Sequence, residues 1–553
     1  MSTAMETGPR PLAGTGRSAA LATAAAAAGV VFAGLAVLGI AVRPLLPVDE
    51  TRYVAVAWEM WRDGHILVPH FNGAVYTHKP PLLFWLIDLA WSVAGVSEIA
   101  ARLVGPAFGV LSVLLTGALA RILWPEIPGA ARRAPWILAT LGVFLVFASL
   151  TMFDAMLTAA TLLAMIGLAR QRRTPDRLGW LGVGAALALG AFAKGPVILL
   201  HVMPVALLAP LWRDTASRPA AGTWYRGVGL AFLFGLGLVS VWLVPAAVWG
   251  GPEYRDAILW HQSADRMVSS FAHREPAWFF VALLPAFLWP WGWRPAVLRA
   301  LGSRALLRDE AVRFCLVWAG AALLAFSLIS GKQIHYLLPE LPALALLLAR
   351  AWPGTADTSA AEPKRWRLLP LVPALLIVAG AAAVLLGLVP HAREEGLTVD
   401  AASVALALGL LAALAAAVLA MPSRFAAWAL IAPGTLLIFY AVAATPLRTV
   451  YDSALLAEAA APYASGGLAY TGGDYHGEFT FSGRLASPVA ELRIPGEIAA
   501  WAATHPGGAV IGRAERMSPG WPAVREINFR GRLYRVWPVP DAARPPQKGS
   551  APQ

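Results

Sequence analysis

The sequence predicts an all-α polytopic membrane protein that carries a small soluble α/β domain near its C-terminus. Of its 553 residues, 58% are hydrophobic and only 14% are charged, which is too apolar for an ordinary soluble protein. Long apolar runs recur up to residue 445, after which Gly, Tyr and turn residues become frequent. We therefore expect a membrane domain over residues 1–445, an α/β domain over 446–540 and a disordered tail over 541–553.

The membrane domain contains thirteen apolar runs, if short runs are counted. They lie near residues 19–42, 101–120, 135–152, 155–169, 178–193, 196–212, 227–249, 277–293, 312–330, 336–350, 368–389, 401–420 and 425–445. The first is longer than the core of a signal peptide and lacks a clear cleavage site, so we expect it to remain as a membrane helix. The sequence thus predicts about 13 transmembrane helices.

The distribution of basic residues predicts the orientation. The net charge is +12, and Arg residues cluster in alternate short loops, such as those near residues 121–133, 170–177 and 294–313. By the positive-inside rule these loops are cytoplasmic, so the N-terminus lies inside and the α/β domain outside. Because the basic loops lie between apolar runs, we expect them to contact anionic lipid headgroups and not nucleic acid. The single cysteine, Cys315, excludes an intramolecular disulfide.

The first outer loop, residues 43–100, contains an apolar and aromatic segment over 82–96 that is too short to cross a membrane easily. Apolar residues recur in it at helical spacing. We expect an amphipathic helix in the outer interface. A short tilted span is the alternative, but it would invert every later loop and remove the asymmetry of the Arg residues.

Ionisable residues gather beside the apolar runs on the predicted outer side. Such residues are costly near a bilayer and usually mark function. Each one alone has a simpler explanation, as a helix cap or as an anchor whose charged end reaches the headgroups. The candidates come from separate loops and are Asp49, Glu50, His78, Lys79, Asp154, Lys194, His261, Arg266, His335 and Tyr336.

Together these motifs resemble the GT-C membrane glycosyltransferases, the superfamily of protein O-mannosyltransferases and of the aminoarabinose transferases that act on lipid A. The resemblance covers about residues 20–350 and favours the bacterial aminoarabinose-transferase-like branch. The matching motifs are Asp49-Glu50-x-x-Tyr53, Phe71-Asn72-Gly73-x-x-Tyr76-x-x-Lys79-Pro80-Pro81-Leu82, Glu98-x-x-x-Arg102-Leu103, Thr151-Met152-x-Asp154, Lys194-Gly195-Pro196, His261-x-x-x-Asp265-Arg266 and Lys332-x-x-His335-Tyr336-Leu337-Leu338-Pro339.

The resemblance implies an inverting transfer of a sugar from an undecaprenyl-phosphate donor to lipid A or another envelope acceptor. The reaction would take place on the periplasmic face of the bacterial inner membrane. A phosphate leaving group needs cations where its charge grows, and a carboxylate near the anomeric carbon can act as a base. The implied roles are catalytic for Asp49 and Asp154, donor-phosphate binding for Lys79, Lys194 and Arg266, and substrate binding for Glu50, Tyr53, Tyr76, His335 and Tyr336.

His78 departs from the pattern of the aminoarabinose transferases, which often have Glu immediately before Lys-Pro. No cofactor is required for the expected reaction, but His78 and His261 could form part of a zinc site. The loss of a carboxylate at this position also leaves the sugar open, because an obvious partner for an amino group is missing.

Two other functions remain as alternatives. A protein O-mannosyltransferase would use the same chemistry on a peptide acceptor. A transporter or flippase for a lipid-linked precursor would instead need polar residues at mid-membrane depth and repeated halves, and the sequence has neither in an obvious form.

Overall fold

The computed structural model describes residues 13–214, 220–258, 274–353, 363–392 and 394–540. Most of the described chain is α-helical. The helices are α1 Ala13–Val42, α2 Asp49–Asp63, α3 Leu82–Ala94, α4 Glu98–Leu123, α5 Pro128–Ala139, α6 Gly142–Phe147, α7 Phe153–Gln171, α8 Arg177–Lys194, α9 Ile198–Leu207, α10 Ala209–Trp212, α11 Ala221–Trp249, α12 Gly251–Asp256, α13 Phe279–Ala282, α14 Leu284–Leu288, α15 Pro295–Leu301, α16 Arg304–Leu307, α17 Glu310–Leu328, α18 Leu341–Ala351, α19 Lys364–Leu368, α20 Val372–Leu385, α21 Ala401–Ala420, α22 Arg424–Ala429, α23 Ile431–Tyr451, α24 Ala454–Ala460 and α25 Pro495–Thr504.

Short 3₁₀ turns and two small sheets complete the described structure. The 3₁₀ turns are Gly195–Val197, Trp291–Trp293, Ile334–Glu340, Leu369–Leu371 and Ala461–Gly466. The strands are β1 His70–Phe71, β2 Ala74–Val75, β3 Leu468–Thr471, β4 Ala490–Leu492, β5 Ala509–Arg513, β6 Arg525–Phe529 and β7 Arg532–Pro538.

Ten helical segments of the described chain are long and apolar enough to cross a membrane. This confirms a polytopic all-α membrane protein. The number of long segments is smaller than the thirteen apolar runs of the sequence because the chain has three local breaks. The run at 135–152 is divided between α5 and α6 at Thr140, which has a non-helical backbone. The run at 277–293 is divided between α13, α14 and a 3₁₀ turn. The third break, between α8 and α9, is a reversal of the chain.

The chain reverses between α8 and α9 at Lys194-Gly195-Pro196. Gly195 has φ +73°, a conformation that favours glycine. Trp180 near the start of α8 and Trp212 after α9 both contact Trp224, at ring-centroid distances of 5.1 and 5.8 Å. The far ends of the two helices therefore meet at one place, and Lys194 lies at the tip of the hairpin.

Helix α7 lies at the centre of the helical bundle. It contacts α4, α8, α9 and the 3₁₀ turn Ile334–Glu340. Small residues such as Ala155, Ala159 and Ala164 are completely buried along it and allow the neighbouring helices to approach closely. The first turn of α7, which contains Asp154, is therefore enclosed by protein.

Helix α3 forms over most of the segment for which we predict an interfacial helix. Its 13 residues give a length of about 20 Å, well short of the ~30 Å of a bilayer core. Leu83, Ile87 and Trp91 on one side are buried against the protein, whereas Leu89 and Val93 are 59% and 83% exposed. The exposed apolar side suits an interfacial position.

The C-terminal sheet has the strand order β4-β3-β5-β7-β6. Strands β4, β3 and β5 are parallel, whereas β7 is antiparallel to both β5 and β6. Alternating residues bury both faces, with Ile511 in one core and Val510 in the other. The turn Arg530-Gly531 has two positive φ angles, as a tight β6–β7 hairpin requires. The C-terminal domain is thus an α/β sheet domain that follows α23.

Candidate active site

Asp154 lies in the first turn of α7 and is 2% exposed. Its Oδ1 accepts a hydrogen bond of 2.6 Å from Lys194 Nζ, and its Oδ2 lies 4.0 Å from His335 Nε2. The N-terminal end of a helix favours a carboxylate, and the lysine supplies the opposite charge that a buried carboxylate needs. Three residues predicted from separate loops therefore meet at one point.

Lys194 connects Asp154 to the turn Ile334–Glu340. Its Nζ lies 4.7 Å from the centre of the Tyr336 ring, which is a favourable position for a cation. The end of this turn is fixed by Glu340, whose Oε1 lies 2.6 Å from His201 Nδ1 in the buried bundle. Glu340 could not be selected from the sequence, because a single acid inside an apolar run has no distinctive spacing.

Asp49 opens α2 and has a side chain that is 42% exposed. Its Oδ1 accepts a hydrogen bond of 3.1 Å from the Tyr53 hydroxyl and lies 3.4 Å from Arg52 Nη2. Burial and the charge of Asp49 raise the pKa of Tyr53 well above its usual value, so this hydroxyl stays protonated and donates. Asp49 is thus a carboxylate of defined orientation that solvent and ligands can reach.

Phe153 lies between the group around Asp154 and the pair formed by Asp49 and Tyr53. Its ring packs against Tyr53 at 4.9 Å, and Lys79 Nζ lies 5.7 Å from the centre of the same ring. Lys79 interacts electrostatically with Asp154, and Asp49 interacts electrostatically with His335. The structure therefore brings Asp49, Lys79, Asp154, Lys194 and His335 into one group, in which Phe153 contacts Tyr53 and Lys79. The apolar sequence context of Phe153 could not identify it.

Tyr76 and His78 lie beside this group. Tyr76 is buried and its ring contacts Phe84 at 6.0 Å, whereas His78 is exposed and stacks on Tyr76 at 5.4 Å. The predicted residues His261 and Arg266 lie outside the described residues. Among the residues that the structure describes, no three His, Cys, Asp or Glu side chains form a group that could hold a metal. The zinc site at His78 and His261 therefore stays a prediction.

Glu50 has a different environment from the expected substrate contact. It is 1% exposed, forms a bidentate ion pair with Arg43, and accepts hydrogen bonds from the backbone N–H groups of Leu46 and Thr151 at 2.9 and 2.8 Å. Burial alone would raise the pKa of this carboxyl, but the charges of Arg43 and Arg102 lower it. Glu50 thus connects the start of α2 to Thr151, three residues before Asp154.

The part of the chain that contains these residues is similar to known proteins. The family model for dolichyl-phosphate-mannose-protein mannosyltransferases matches residues 22–254, which include Asp49, Lys79, Asp154 and Lys194. The crystal structure of ArnT from Cupriavidus metallidurans bound to undecaprenyl phosphate superposes with a TM-score of 0.71 at 19% identity, covering 97% of this chain and 100% of that one. The chain therefore has the GT-C fold of that structure. This fold agrees with the resemblance in the sequence.

Two curated relatives bear the name undecaprenyl phosphate-α-4-amino-4-deoxy-L-arabinose arabinosyl transferase. The relative from Erwinia tasmaniensis is 32% identical over 368 residues, which are 63% of this chain and 63% of that protein. The relative from Pseudomonas fluorescens is 30% identical over 319 residues, 55% of each chain. The chain thus spans about half to two thirds of the length of these relatives by sequence.

Proposed function

We propose that this protein is an inverting glycosyltransferase that moves a sugar from a polyprenyl-phosphate donor to lipid A or another envelope acceptor. The observation that carries the proposal is the convergence of Lys79, Lys194, Asp49 and Asp154 in one group, linked through Phe153 and Tyr53. The curated relatives, by name, transfer arabinosyl groups from undecaprenyl phosphate, and this supports the same donor class here. Lipid A is the favoured acceptor because those relatives belong to the branch that the sequence resembles.

The chemistry follows from the charges around the site. The bond between the anomeric carbon and the phosphate oxygen breaks, and negative charge grows on the departing polyprenyl phosphate. Lys79 and Lys194 are placed to stabilise that charge, and Arg266 is a further predicted ligand. Asp49 can accept the proton of an acceptor hydroxyl, or orient an acceptor that is already an ionised phosphate.

The carboxylates of the described site favour inversion at the anomeric carbon. Asp154 is buried and neutralised by Lys194, and both oxygens of Glu50 are occupied by hydrogen bonds. Asp49 is then the accessible carboxylate among these three. A double displacement needs one carboxylate as nucleophile in addition to an acid or base, whereas a direct displacement needs only one.

Mass spectrometry of lipid A and envelope glycans tests the function. We expect lipid A from cells with the gene to carry an added sugar residue that is absent from cells without it and from cells with Asp49→Ala. Because His78 replaces the usual acid, the added mass is not restricted to aminoarabinose. Glycosylated proteins with unchanged lipid A would instead indicate the protein O-mannosyltransferase alternative, and no glycosylated product would refute the proposed function.

We also propose that the N-terminus is cytoplasmic and that the site and the C-terminal domain are periplasmic, at the bacterial inner membrane. A fluorescent protein fused after Glu126, between α4 and α5, should fluoresce in the cytoplasm. Alkaline phosphatase fused after Pro540 should be active outside. If both fusions report the same side, the orientation is wrong.

A further inference from the structure

The C-terminal sheet domain contacts the site through residues 474–489, between β3 and β4, which we name the docking segment. It packs against the start of α2, where the Thr51 hydroxyl donates a hydrogen bond of 3.3 Å to the carbonyl of His476. Thr51 is two residues from Asp49. A residue of the C-terminal domain therefore contacts the helix turn that carries the proposed base.

Gly477 makes this contact possible. Its φ is +71°, and a Cβ added there would lie 2.8 Å from Ala55 Cβ and 3.0 Å from the Phe71 ring. Real Cβ atoms do not approach this closely, so a side chain at this position would push the docking segment away from α2. The contact thus depends on glycine for both space and backbone conformation.

The docking segment is braced internally. Glu478 is 1% exposed, and its Oε2 accepts a hydrogen bond of 2.8 Å from the backbone N–H of His476. The Tyr475 and Thr480 hydroxyl oxygens are 2.7 Å apart within the same turn. Phe481 stacks on Trp91 of α3 at 5.3 Å with an interplanar angle of 3°. The segment is therefore a fixed surface between the sheet domain and the first outer loop.

A second contact holds the hairpin β1–β2, which precedes Lys79. The Asn72 side chain donates to the carbonyl of Val489 at 2.8 Å and accepts from its N–H at 2.7 Å. On its other side, Glu59 of α2 accepts from the backbone N–H groups of Asn72 and Gly73 at 2.6 and 3.0 Å. The hairpin is thus fixed between α2 and the docking segment.

We propose that the docking segment is a positioning element of the active site, because it holds the helix that carries Asp49 and the hairpin that leads to Lys79 in one fixed arrangement. This inference rests on the proposed function. The two groups act on opposite sides of the reaction, one on the acceptor and one on the leaving phosphate, so their separation affects the rate. A misplacement of about 1 Å can lower a rate on the order of 100-fold.

Gly477→Ala tests this role, with Gly473→Ala as the matched control. Gly473 lies in the loop just before the docking segment, and an added Cβ there meets nothing within 4 Å. We expect Gly477→Ala to lower kcat for sugar transfer about 10- to 100-fold with the donor KM within about twofold, and Gly473→Ala to match the wild type. If Gly477→Ala raises the donor KM while kcat stays unchanged, or if it matches Gly473→Ala, the positioning role is refuted.

A second substitution that restores the rate of Gly477→Ala would distinguish a positioning role from a general loss of structure. In Gly477→Ala the new methyl clashes with Ala55, so Ala55→Gly added to it should recover part of the rate, whereas Ala55→Gly alone should not raise it. Asn72→Gly, which keeps the positive φ of 55° but removes both hydrogen bonds to Val489, should also lower kcat. Absence of rescue, or a wild-type rate in Asn72→Gly, counts against the proposal.

Hydrogen exchange gives a readout that does not need the reaction. In Gly477→Ala the backbone amides at the start of α2 should exchange faster than in the wild type, while those of the buried α7 remain protected. If the wild type transfers no sugar, the proposed function fails, but this exchange result still decides whether the docking segment holds α2. Unchanged exchange in α2 would refute the contact itself.

Discussion

Asp49→Asn should reduce sugar transfer to a hydroxyl acceptor by about 100- to 10,000-fold, the range for removal of a general base. The amide keeps the shape of the carboxylate, and its oxygen can still accept the hydrogen bond from Tyr53. The loss therefore reports the proton-accepting charge of Asp49 and not a collapse of α2. The measurement is the initial rate of transfer from a polyprenyl-phosphate sugar by purified protein.

Asp63→Asn is the matched control for this experiment. Asp63 is the last residue of α2 and pairs with Arg62 at 2.6 Å, far along the helix from Asp49. Asp63→Asn should transfer sugar at the wild-type rate. An Asp49→Asn protein that expresses normally and keeps more than about a tenth of the rate contradicts the role of base.

Lys194→Met should destabilise the protein by about 3–5 kcal/mol, because it leaves the buried carboxylate of Asp154 without its partner. The side chain of Lys194 is 12% exposed and that of Asp154 is 4% exposed, so water cannot replace the lost charge. We expect a lower melting temperature in detergent and no measurable transfer. A melting temperature equal to that of the wild type would contradict the importance of this ion pair.

The double variant Asp154→Asn/Lys194→Met separates stability from function. It removes both buried charges, so most of the lost stability should return. Transfer should remain absent, because Lys194 would no longer stand beside the leaving phosphate. If the double variant regained both stability and transfer, the role of Lys194 would be structural alone.

The bilayer makes much of this site predictable from sequence. Asp154 and Lys194 stand out because an ionisable group beside an apolar run is costly and needs a compensating partner. The sequence also indicates the interfacial helix, since the run that forms α3 is too short to span. These predictions depend on local patterns, which a single sequence contains.

Contacts between distant segments were not predictable in the same way. The ion pair of Glu50 with Arg43 depends on how the chain turns after α1, and Asp49 beside it looks equally polar in the sequence. Phe153 is an ordinary apolar residue until the fold places Tyr53 and Lys79 against its ring. The break at Thr140 is also hidden, because apolar residues surround it on both sides.

The hydrogen bonds between Asn72 and Val489 join residues that are 417 positions apart. During synthesis the first outer loop reaches its side of the membrane long before the docking segment exists. At ~5–20 residues per second, the interval is about 20–80 s. The loop with Asp49 and Lys79 must therefore wait for its partner until almost the whole chain has been made. Assembly of the proposed site is consequently one of the last events in the biogenesis of this protein.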